Sequence, residues 1–413
     1  MIWLDILGVS EAGLNSLSAD QITRLTSARH IIAPDRHIAA VKQLRQDQPQ
    51  TGDATAEVIT WPSPFSRIYD MLARWRGEPT VILATGDPLW YGAGSSIVTR
   101  IPLDEMRIEP AVSGFQLTAS RMGWPMAHVH AMTLHGRPVE LIRAAIMPSA
   151  HLLILADSAA TPQQAAEQLI AMGAGAAEMT ALAYIGGQQE ARYDGTANDW
   201  AKTPPQVADF HVLAVACPDH LEGFYPSAPG LADSAYESDG KLTKSDIRAI
   251  TLARLKPVSG QLLWDLGCGS GSIGIEWMRA AAHARAIGVE LRDDRLAVAK
   301  SNAIKLGVPK WAGVIGENMP LAAELEQPDA VFIGGGLSRD LAELVMRRLT
   351  SGGRLVVNAV TLESEAILLA LHHHHGGRLV RIAVSHAEPV GPYRGWRSAM
   401  PVTQWVWEKG TEK

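Results

Sequence analysis

Cysteine is nearly absent from this 413-residue chain, since its only two cysteines, Cys217 and Cys268, are far apart and form no paired motif. A disulfide-stabilised secreted fold is therefore not expected, and we predict a reduced, cytoplasmic protein. Long apolar runs are also lacking: no window approaches about 18 uninterrupted apolar residues, so no membrane span is predicted. The N-terminal stretch MIWLDILGVS has no basic segment and is typical of a core strand rather than a signal peptide.

An excess of positive charge is missing too. The chain has 37 Lys and Arg against 43 Asp and Glu, a formal net charge of −6. Nucleic-acid-binding proteins generally carry a basic field over the binding face, so no nucleic-acid partner is predicted. An anionic small molecule would instead need a local group of arginines. Apolar residues make up 47% of the chain, and its length favours two or three domains over a single core.

Strand-like and helix-like segments alternate along both halves, which predicts layered α/β architecture. Residues 218–239, rich in Pro, Gly, Ser and Asp, interrupt the pattern and are predicted to link domains 1–217 and 240–413. In the second half, the last two strands are read as RLVRIAVSHAEP and VTQWVWEK, with only the loop VGPYRGWRSAMP between them. Because a parallel pair needs a longer crossover, we predict a seven-stranded sheet whose last strand is reversed.

The stretch LLWDLGCGSGSIG places a glycine loop after an apolar strand. Its G-x-G-x-x-G at 269–274 is weak evidence for a nicotinamide dinucleotide. Asp265, two residues before Gly267, would repel a pyrophosphate but suits a cationic ligand without phosphate. Glu290, at the end of the next strand, is placed to accept from ribose hydroxyls. Together these features predict S-adenosylmethionine, although Asp265 could instead brace the loop and Glu290 could be a surface carboxylate.

Residues from about 236 to 413 resemble the class I methyltransferases with a Rossmann-like sheet. The segment DGKLTKSDIRAITLARL resembles the entry helix of the precorrin C15-methyltransferase and decarboxylase family. This resemblance implies a set of cofactor contacts in the second half. They are Thr243, Asp265, Gly267, Cys268, Gly269, Ser270, Gly271, Glu290 and Asn318.

The first half resembles the tetrapyrrole C-methylases, a two-lobed fold of a different kind. The motifs that carry this resemblance are ATGDPLWYG, PAVSGFQLTASRMG, TLHGRP and ILADSAATPQQAAEQL, in that order across about 215 residues. The first glycine loop, LGVSEAGLNSLS, departs from the usual pattern because Glu11 and Ala12 replace Gly-Pro. The resemblance implies cofactor contacts from Gly8, Gly86, Asp87, Pro88, Ser113 and His135.

The combination of two unrelated methyltransferase folds on one chain resembles the C5,15-methylating, decarboxylating enzymes of cobalamin biosynthesis. That resemblance implies two S-adenosylmethionine sites, a precorrin tetrapyrrole substrate and a homo-oligomer. Because such a substrate carries many carboxylates, Arg394, Arg397 and Arg137 are candidates to bind them. The alternatives are a solvated turn with a buried tryptophan, Trp396, for Arg394 and Arg397, and a structural arginine for Arg137. Gly334–Gly336 end a strand where substrate or cofactor would approach closely.

No metal site is predicted. His372–His375 are consecutive, and consecutive helical residues point in different directions, so they cannot converge on one ion. Two other functions stay open from the sequence. One is a non-catalytic corrinoid carrier, which would bind tetrapyrroles without turning over S-adenosylmethionine. The other is a class I methyltransferase that acts on a different substrate and is fused to a tetrapyrrole methylase.

Overall fold

The computed structural model describes residues 1–47 and 57–410. They form two compact units, the first made of Met1–Val139 with Pro148–Leu221 and the second of Glu140–Met147 with Glu222–Lys413. Among the described residues, no helix combines the length and apolar character needed to cross a bilayer.

The first lobe of unit 1 is a parallel sheet of five strands in the order β3-β2-β4-β1-β5. Apolar strand residues such as Ile6 and Ile82 are fully buried in its core. The elements are β1 Leu4–Val9, α1 Ala19–Ser27, β2 His30–Ala33, α2 Asp35–Gln46, β3 Glu57–Thr60, α3 Arg67–Arg74, β4 Thr80–Thr85, α4 Gly94–Ile97, β5 Met106–Glu109 and α5 Gly114–Met122.

The second lobe is a mixed sheet in the order β6-β7-β10-β8-β9, in which only β6 and β7 run parallel. Its elements are β6 Val129–Thr133, β7 His151–Leu155, α6 Thr161–Ala171, β8 Glu178–Ala183, β9 Ala191–Thr196, α7 Ala197–Lys202 and β10 His211–Ala216. The two lobes confirm the predicted α/β fold of the first half.

Unit 2 contains a seven-stranded sheet in the order β13-β12-β11-β14-β15-β19-β16. Strand β19 runs antiparallel to both of its neighbours, which confirms the predicted reversed last strand. The elements are α8 Ser245–Leu255, β11 Leu262–Leu266, α9 Ser272–Ala280, β12 Arg285–Glu290, α10 Asp293–Lys305, β13 Ala312–Ile315, α11 Asn318–Glu324, β14 Ala330–Ile333, α12 Arg339–Arg348, β15 Arg354–Ala359, α13 Leu362–His375, β16 Arg378–Ile382, β17 Ser385–Val390, β18 Tyr393–Ser398 and β19 Val402–Glu408.

One detail of the terminal hairpin was predicted wrongly. The segment read as one strand is two, β16 and β17, and the segment read as a loop contains β18. Strands β17 and β18 form a separate two-stranded sheet, joined at Gly391, whose φ is +60°. Because most side chains of this hairpin are exposed, its sequence carries no buried apolar face from which a strand could be predicted.

The segment before α8 groups with unit 2, although its composition is that of a linker. Leu231 and Tyr236 lie in the core of unit 2. The buried Glu276 carboxylate accepts hydrogen bonds from the amide of Gly230 at 2.6 Å and from the Tyr236 hydroxyl at 2.9 Å. It also pairs with the fully buried Arg248 at 2.5 Å. Irregular backbone is thus held in place here by a buried polar network.

Candidate active sites

Unit 2 has a cavity of about 500 Å³ at the carboxyl ends of β11, β12 and β14. Parallel α/β sheets bind their ligands at this edge, because the loops that follow the strands converge there. The lining residues are Lys241, Gly267, Gly269, Glu290, Leu291, Arg295, Gly316, Glu317, Asn318, Met319, Gly334, Gly335, Gly336, Ser338 and Leu341.

The glycine loop between β11 and α9 needs its glycines for two different reasons. Gly267, Gly269 and Gly271 all have positive φ, between 54° and 78°, which other residues rarely adopt. A Cβ on Gly267 would also lie 2.8 Å from the Gly335 amide nitrogen, so this glycine permits close backbone approach. A Cβ on Gly269 would meet nothing within 4 Å, so that position opens onto the cavity.

Glu290 links the glycine loop to the end of β12. Its Oε2 accepts a hydrogen bond from the amide of Gly269 at 2.9 Å, and its Oε1 accepts from the amides of Leu291 and Arg292. The side chain is buried yet lines the cavity. A carboxylate oxygen has two lone pairs, so Glu290 can hold the loop and still accept from a ligand hydroxyl.

Asp265 lies beneath the loop rather than on the cavity wall. It is 1% exposed, and its Oδ2 accepts a hydrogen bond from the amide of Gly274 at 2.9 Å, in the first turn of α9. The geometry is that of a loop brace. Burial raises the pKa of Asp265 to about 7, although the Gly274 hydrogen bond acts in the opposite direction.

This raised pKa predicts a pH effect on stability. The carboxyl titrates near 3.9 when unfolded, so the folded state favours the protonated form. The contribution of the Asp265 carboxyl to the free energy of unfolding is complete below about pH 4 and is lost as the pH rises through about 7. We expect Asp265→Asn to flatten the pH dependence of unit 2 unfolding over this range, measured by denaturant titration at several pH values. An unchanged pH profile in the variant would contradict the burial argument.

Asn318 positions the triple-glycine turn that follows β14. Its Nδ2 donates to the carbonyl of Gly335 at 2.9 Å, and a Cβ on Gly336 would lie 2.9 Å from the same nitrogen. Both Asn318 and Gly334–Gly336 line the cavity. The fold therefore brings Asn318 and Gly334–Gly336 to the same cavity as the glycine loop between β11 and α9.

Four other predicted contacts lie off the cavity wall. Cys268 is buried, and a Cβ on Gly288 would lie 3.0 Å from its sulfur. Burial raises the pKa of its thiol, which stays protonated. The Ser270 carbonyl accepts from Asn302, and the Thr243 carbonyl accepts from Arg248. Gly271 caps the start of α9 in a left-handed conformation. Cys268, Ser270 and Gly271 therefore belong to the glycine loop without lining the cavity.

Sequence reasoning missed two cations on the wall of this cavity. Lys241 lies just before α8, and Arg295, in the first turn of α10, pairs with Asp239 at 2.5 Å. Arg295 belongs to no recognisable motif, and Lys241 lies in DGKLTKSDIRAITLARL but is not one of the contacts that the resemblance of this segment implies.

Unit 1 has its own cavity, of about 340 Å³. Both lobes contribute to it: residues that follow β4 come from the first lobe, and residues beside β8 and β10 come from the second. The walls include Glu11, Trp61, Ala84, Thr85, Gly86, Asp87, Trp90, Tyr91, Gly92, Ala93, Ser113, Gly114, Phe115, Leu117, His135, Leu155, Ala156, Leu182, Tyr184, Ile185, Asp209, Phe210, His211 and Val212.

Three predicted residues from different segments of the chain pack closely together beside this cavity. A Cβ on Gly8 would lie 2.3 Å from the carbonyl oxygen of Gly86 and equally close to the Ala111 amide. Gly86 has a φ of +64° and packs against Ser113. Ser113 caps α5, with its side chain accepting from the amide of Gln116. Gly86 and Ser113 line the cavity, whereas Gly8 supports them from the strand behind.

The other predicted residues of unit 1 shape neighbouring turns. Asp87 accepts from the amide of Leu89 at 2.8 Å, and Pro88 packs where Cβ atoms on Gly92 and Gly94 would otherwise lie. Asp87 and His135 line the cavity, and Pro88 does not.

The three candidate arginines for substrate carboxylates lie in different places. The Arg137 guanidinium lies 5.4 Å from the ring centre of Tyr91, a cavity residue. Arg394 and Arg397 are exposed on β18, and Arg397 pairs with Glu388 at 3.0 Å. Trp396, between them, is 80% exposed, so the alternative of a turn around a buried tryptophan does not hold.

Comparisons with known proteins match each half separately. Residues 6–201 match the family model described as Tetrapyrrole (Corrin/Porphyrin) Methylases, and residues 234–409 match that of the Precorrin methyltransferase domain. The chain is therefore a methyltransferase that joins two modules of different fold.

Relatives match over the full length. A precorrin-6Y C(5,15)-methyltransferase [decarboxylating] from a Sinorhizobium species is 39% identical, covering 99% of this chain and 97% of the relative. One from Mycobacterium tuberculosis is 33% identical, covering 97% and 98%. The chain belongs to the precorrin-6Y C5,15-methyltransferase (decarboxylating) family. A solved C-terminal domain of the enzyme from Rhodobacter capsulatus is 45% identical over 45% of this chain and all of that chain, with a TM-score of 0.43.

Proposed function

We propose that this protein methylates precorrin-6Y at C5 and C15 and removes CO2 from the C12 acetate, giving precorrin-8 in cobalamin biosynthesis. We assign C5 methylation to unit 1, and C15 methylation with decarboxylation to unit 2. The observation that carries the proposal is the presence of two separate cavities, one in each unit, each beside a glycine-rich turn at the end of a parallel strand.

We propose one S-adenosylmethionine site in each cavity. In unit 2 the residues fit this cofactor: Glu290 offers a buried acceptor for ribose hydroxyls, and Gly269 leaves space where a side chain would intrude. In unit 1, Gly86 and Ser113 provide a close backbone approach beside apolar walls. When bound, S-adenosylmethionine supplies an electrophilic methyl group carried on a sulfonium.

The protein's own contribution is to bind, orient and exclude water. The ring carbon of a reduced tetrapyrrole is an electron-rich nucleophile, so no activated side chain is required. This agrees with the buried Cys268 thiol, whose pKa is raised by desolvation. Holding two reactants in line accounts for a large share of a rate enhancement. Apolar wall residues such as Trp90, Phe115 and Val212 keep water from the first cavity.

We assign carboxylate binding to Arg137 in unit 1 and to Arg394 and Arg397 on the exposed β17–β18 hairpin. The Arg397–Glu388 pair lies on the surface, where ion pairs contribute little stability. A substrate carboxylate can therefore replace Glu388 at low cost.

We further propose that the protein acts as a cytoplasmic homo-oligomer. The scarcity of cysteine supports the compartment, and the exposed Tyr393 and Trp396 support self-association.

The reaction is tested by incubating purified protein with precorrin-6Y and methyl-labelled S-adenosylmethionine. We expect two labelled methyl groups and one CO2 for each macrocycle. Binding of the macrocycle without any transfer would instead support a carrier. Methyl transfer to another acceptor in preference to the precorrin would support the fused-enzyme alternative.

A further inference from the structure

Two tyrosines of the unit 1 cavity have unusual backbone conformations. Tyr91 has a φ of +57° and Tyr184 a φ of +47°, in the left-handed region that bulky residues seldom occupy. Both line the cavity. Strained conformations persist where the surrounding structure enforces them, and they concentrate at functional sites.

Each tyrosine ring contacts a phenylalanine ring, and a guanidinium lies over one ring of each pair. The ring of Tyr91 lies 6.0 Å from that of Phe115, and Arg137 lies over Tyr91. The second pair also joins a tyrosine, a phenylalanine and an arginine, with the guanidinium over the phenylalanine. The ring of Tyr184 lies 6.0 Å from that of Phe210, and the Arg36 guanidinium lies 4.6 Å from the Phe210 ring centre.

Arg36 is held firmly beside the cavity. Its Nε donates to Glu11 at 2.9 Å, and its Nη2 donates to the Thr85 hydroxyl at 2.6 Å. Glu11, Thr85 and Phe210 all line the cavity. Glu11 takes the glycine position of the Gly-Pro pair usual in tetrapyrrole C-methylases, and its carboxylate orients the Arg36 guanidinium.

Part of the guanidinium stays available for a ligand. The side chain of Arg36 is 33% exposed, and its Nη1 makes no hydrogen bond among the described residues. A guanidinium has five N–H donors in a planar fork that matches a carboxylate. Its contacts with Glu11 and Thr85 occupy only some of these donors.

We propose that Arg36 is a second carboxylate anchor of the unit 1 cavity, in addition to Arg137, and binds an acetate or propionate of the flat substrate. Tyr91 and Tyr184 supply aromatic surface for the macrocycle between the two anchors. Glu11 is a positioning residue that acts through Arg36. This inference rests on the proposed function, because it takes the substrate to be a polycarboxylate.

The test is Arg36→Gln in the full chain, with C5 methylation followed as a function of precorrin concentration. We expect KM for the precorrin to rise about 10- to 100-fold, since a charge-assisted hydrogen bond is lost. The dissociation constant for S-adenosylhomocysteine in unit 1 should change less than about twofold. Arg36→Lys, which keeps the charge without the fork, should recover part of the loss.

Two controls make the result decisive. Arg121→Gln removes another arginine of unit 1 that is paired with a glutamate. Its partner Glu190 does not line the cavity, whereas the partners of Arg36 do, so KM should stay unchanged. C15 methylation in unit 2 is an internal control for folding and substrate quality. An unchanged KM in Arg36→Gln, or a parallel loss of S-adenosylhomocysteine affinity, would overturn the inference, the latter because the carboxylate would be the cofactor's own. Absence of all methylation in the unmodified protein would instead refute the proposed function.

Discussion

Replacing Gly269 with arginine is expected to abolish C15 methylation while C5 methylation continues. Gly269 has a φ of +54° and opens onto the unit 2 cavity, so the new side chain would fill the space proposed for the cofactor. Its amide also donates to Glu290, and the strained backbone would disturb that contact. We expect loss of more than about 100-fold in S-adenosylhomocysteine affinity at this site, equivalent to about 3 kcal/mol.

The matched control is Gly260→Arg. Gly260 also has a positive φ, +79°, and open space around its missing Cβ, but it precedes β11 and does not line the cavity. The control variant therefore carries the same backbone strain and the same added charge. C15 methylation should survive in Gly260→Arg. Equal losses in the two variants would show that strain, rather than occlusion of the cavity, explains the effect.

Replacing Glu276 with alanine is expected to destabilise unit 2 by about 3–5 kcal/mol, because it leaves the buried Arg248 charge without its carboxylate. Arg248 is fully buried and lies 2.5 Å from Glu276. The same substitution removes the acceptor of the Tyr236 hydroxyl, whose pKa is raised mainly by burial. Hydrogen exchange of α8 and α9 peptides, followed by mass spectrometry, measures this loss locally.

Glu326→Ala provides the comparison. Glu326 forms two hydrogen bonds with Arg285, at 2.8 and 2.7 Å, but both side chains are more than half exposed. A surface pair of this kind contributes about 0–1 kcal/mol. Exchange in Glu326→Ala should therefore match that of the unmodified protein. A small effect in Glu276→Ala would contradict the view that the buried network holds residues 222–244 to unit 2.

The fold could be predicted from sequence where local pattern and tertiary role agree. Alternating strand-like and helix-like segments predicted both α/β units, and the short connection before the last strand predicted the reversed β19. The pattern did not predict the burial found before α8, because richness in Pro, Gly and Ser indicates irregular backbone and says nothing about burial. Leu231 and Tyr236 are buried in that irregular segment.

The candidate sites also contain residues that the sequence predicted and residues that it did not. Spacing led to Gly267, Gly269 and Glu290, which line the unit 2 cavity. It could not decide whether Asp265 contacts a ligand or braces the loop, because both roles require a carboxylate at the strand end. Tyr184 and Arg36 were missed altogether, since a left-handed tyrosine or an arginine held by a distant glutamate leaves no local signature.

The most direct test of the account is a calorimetric titration of the whole chain with S-adenosylhomocysteine. Two independent cavities predict two equivalents bound per chain, and one equivalent in Gly269→Arg. A single equivalent in the unmodified protein, or competition by a nicotinamide dinucleotide at either cavity, would contradict the central claim that each unit holds its own S-adenosylmethionine.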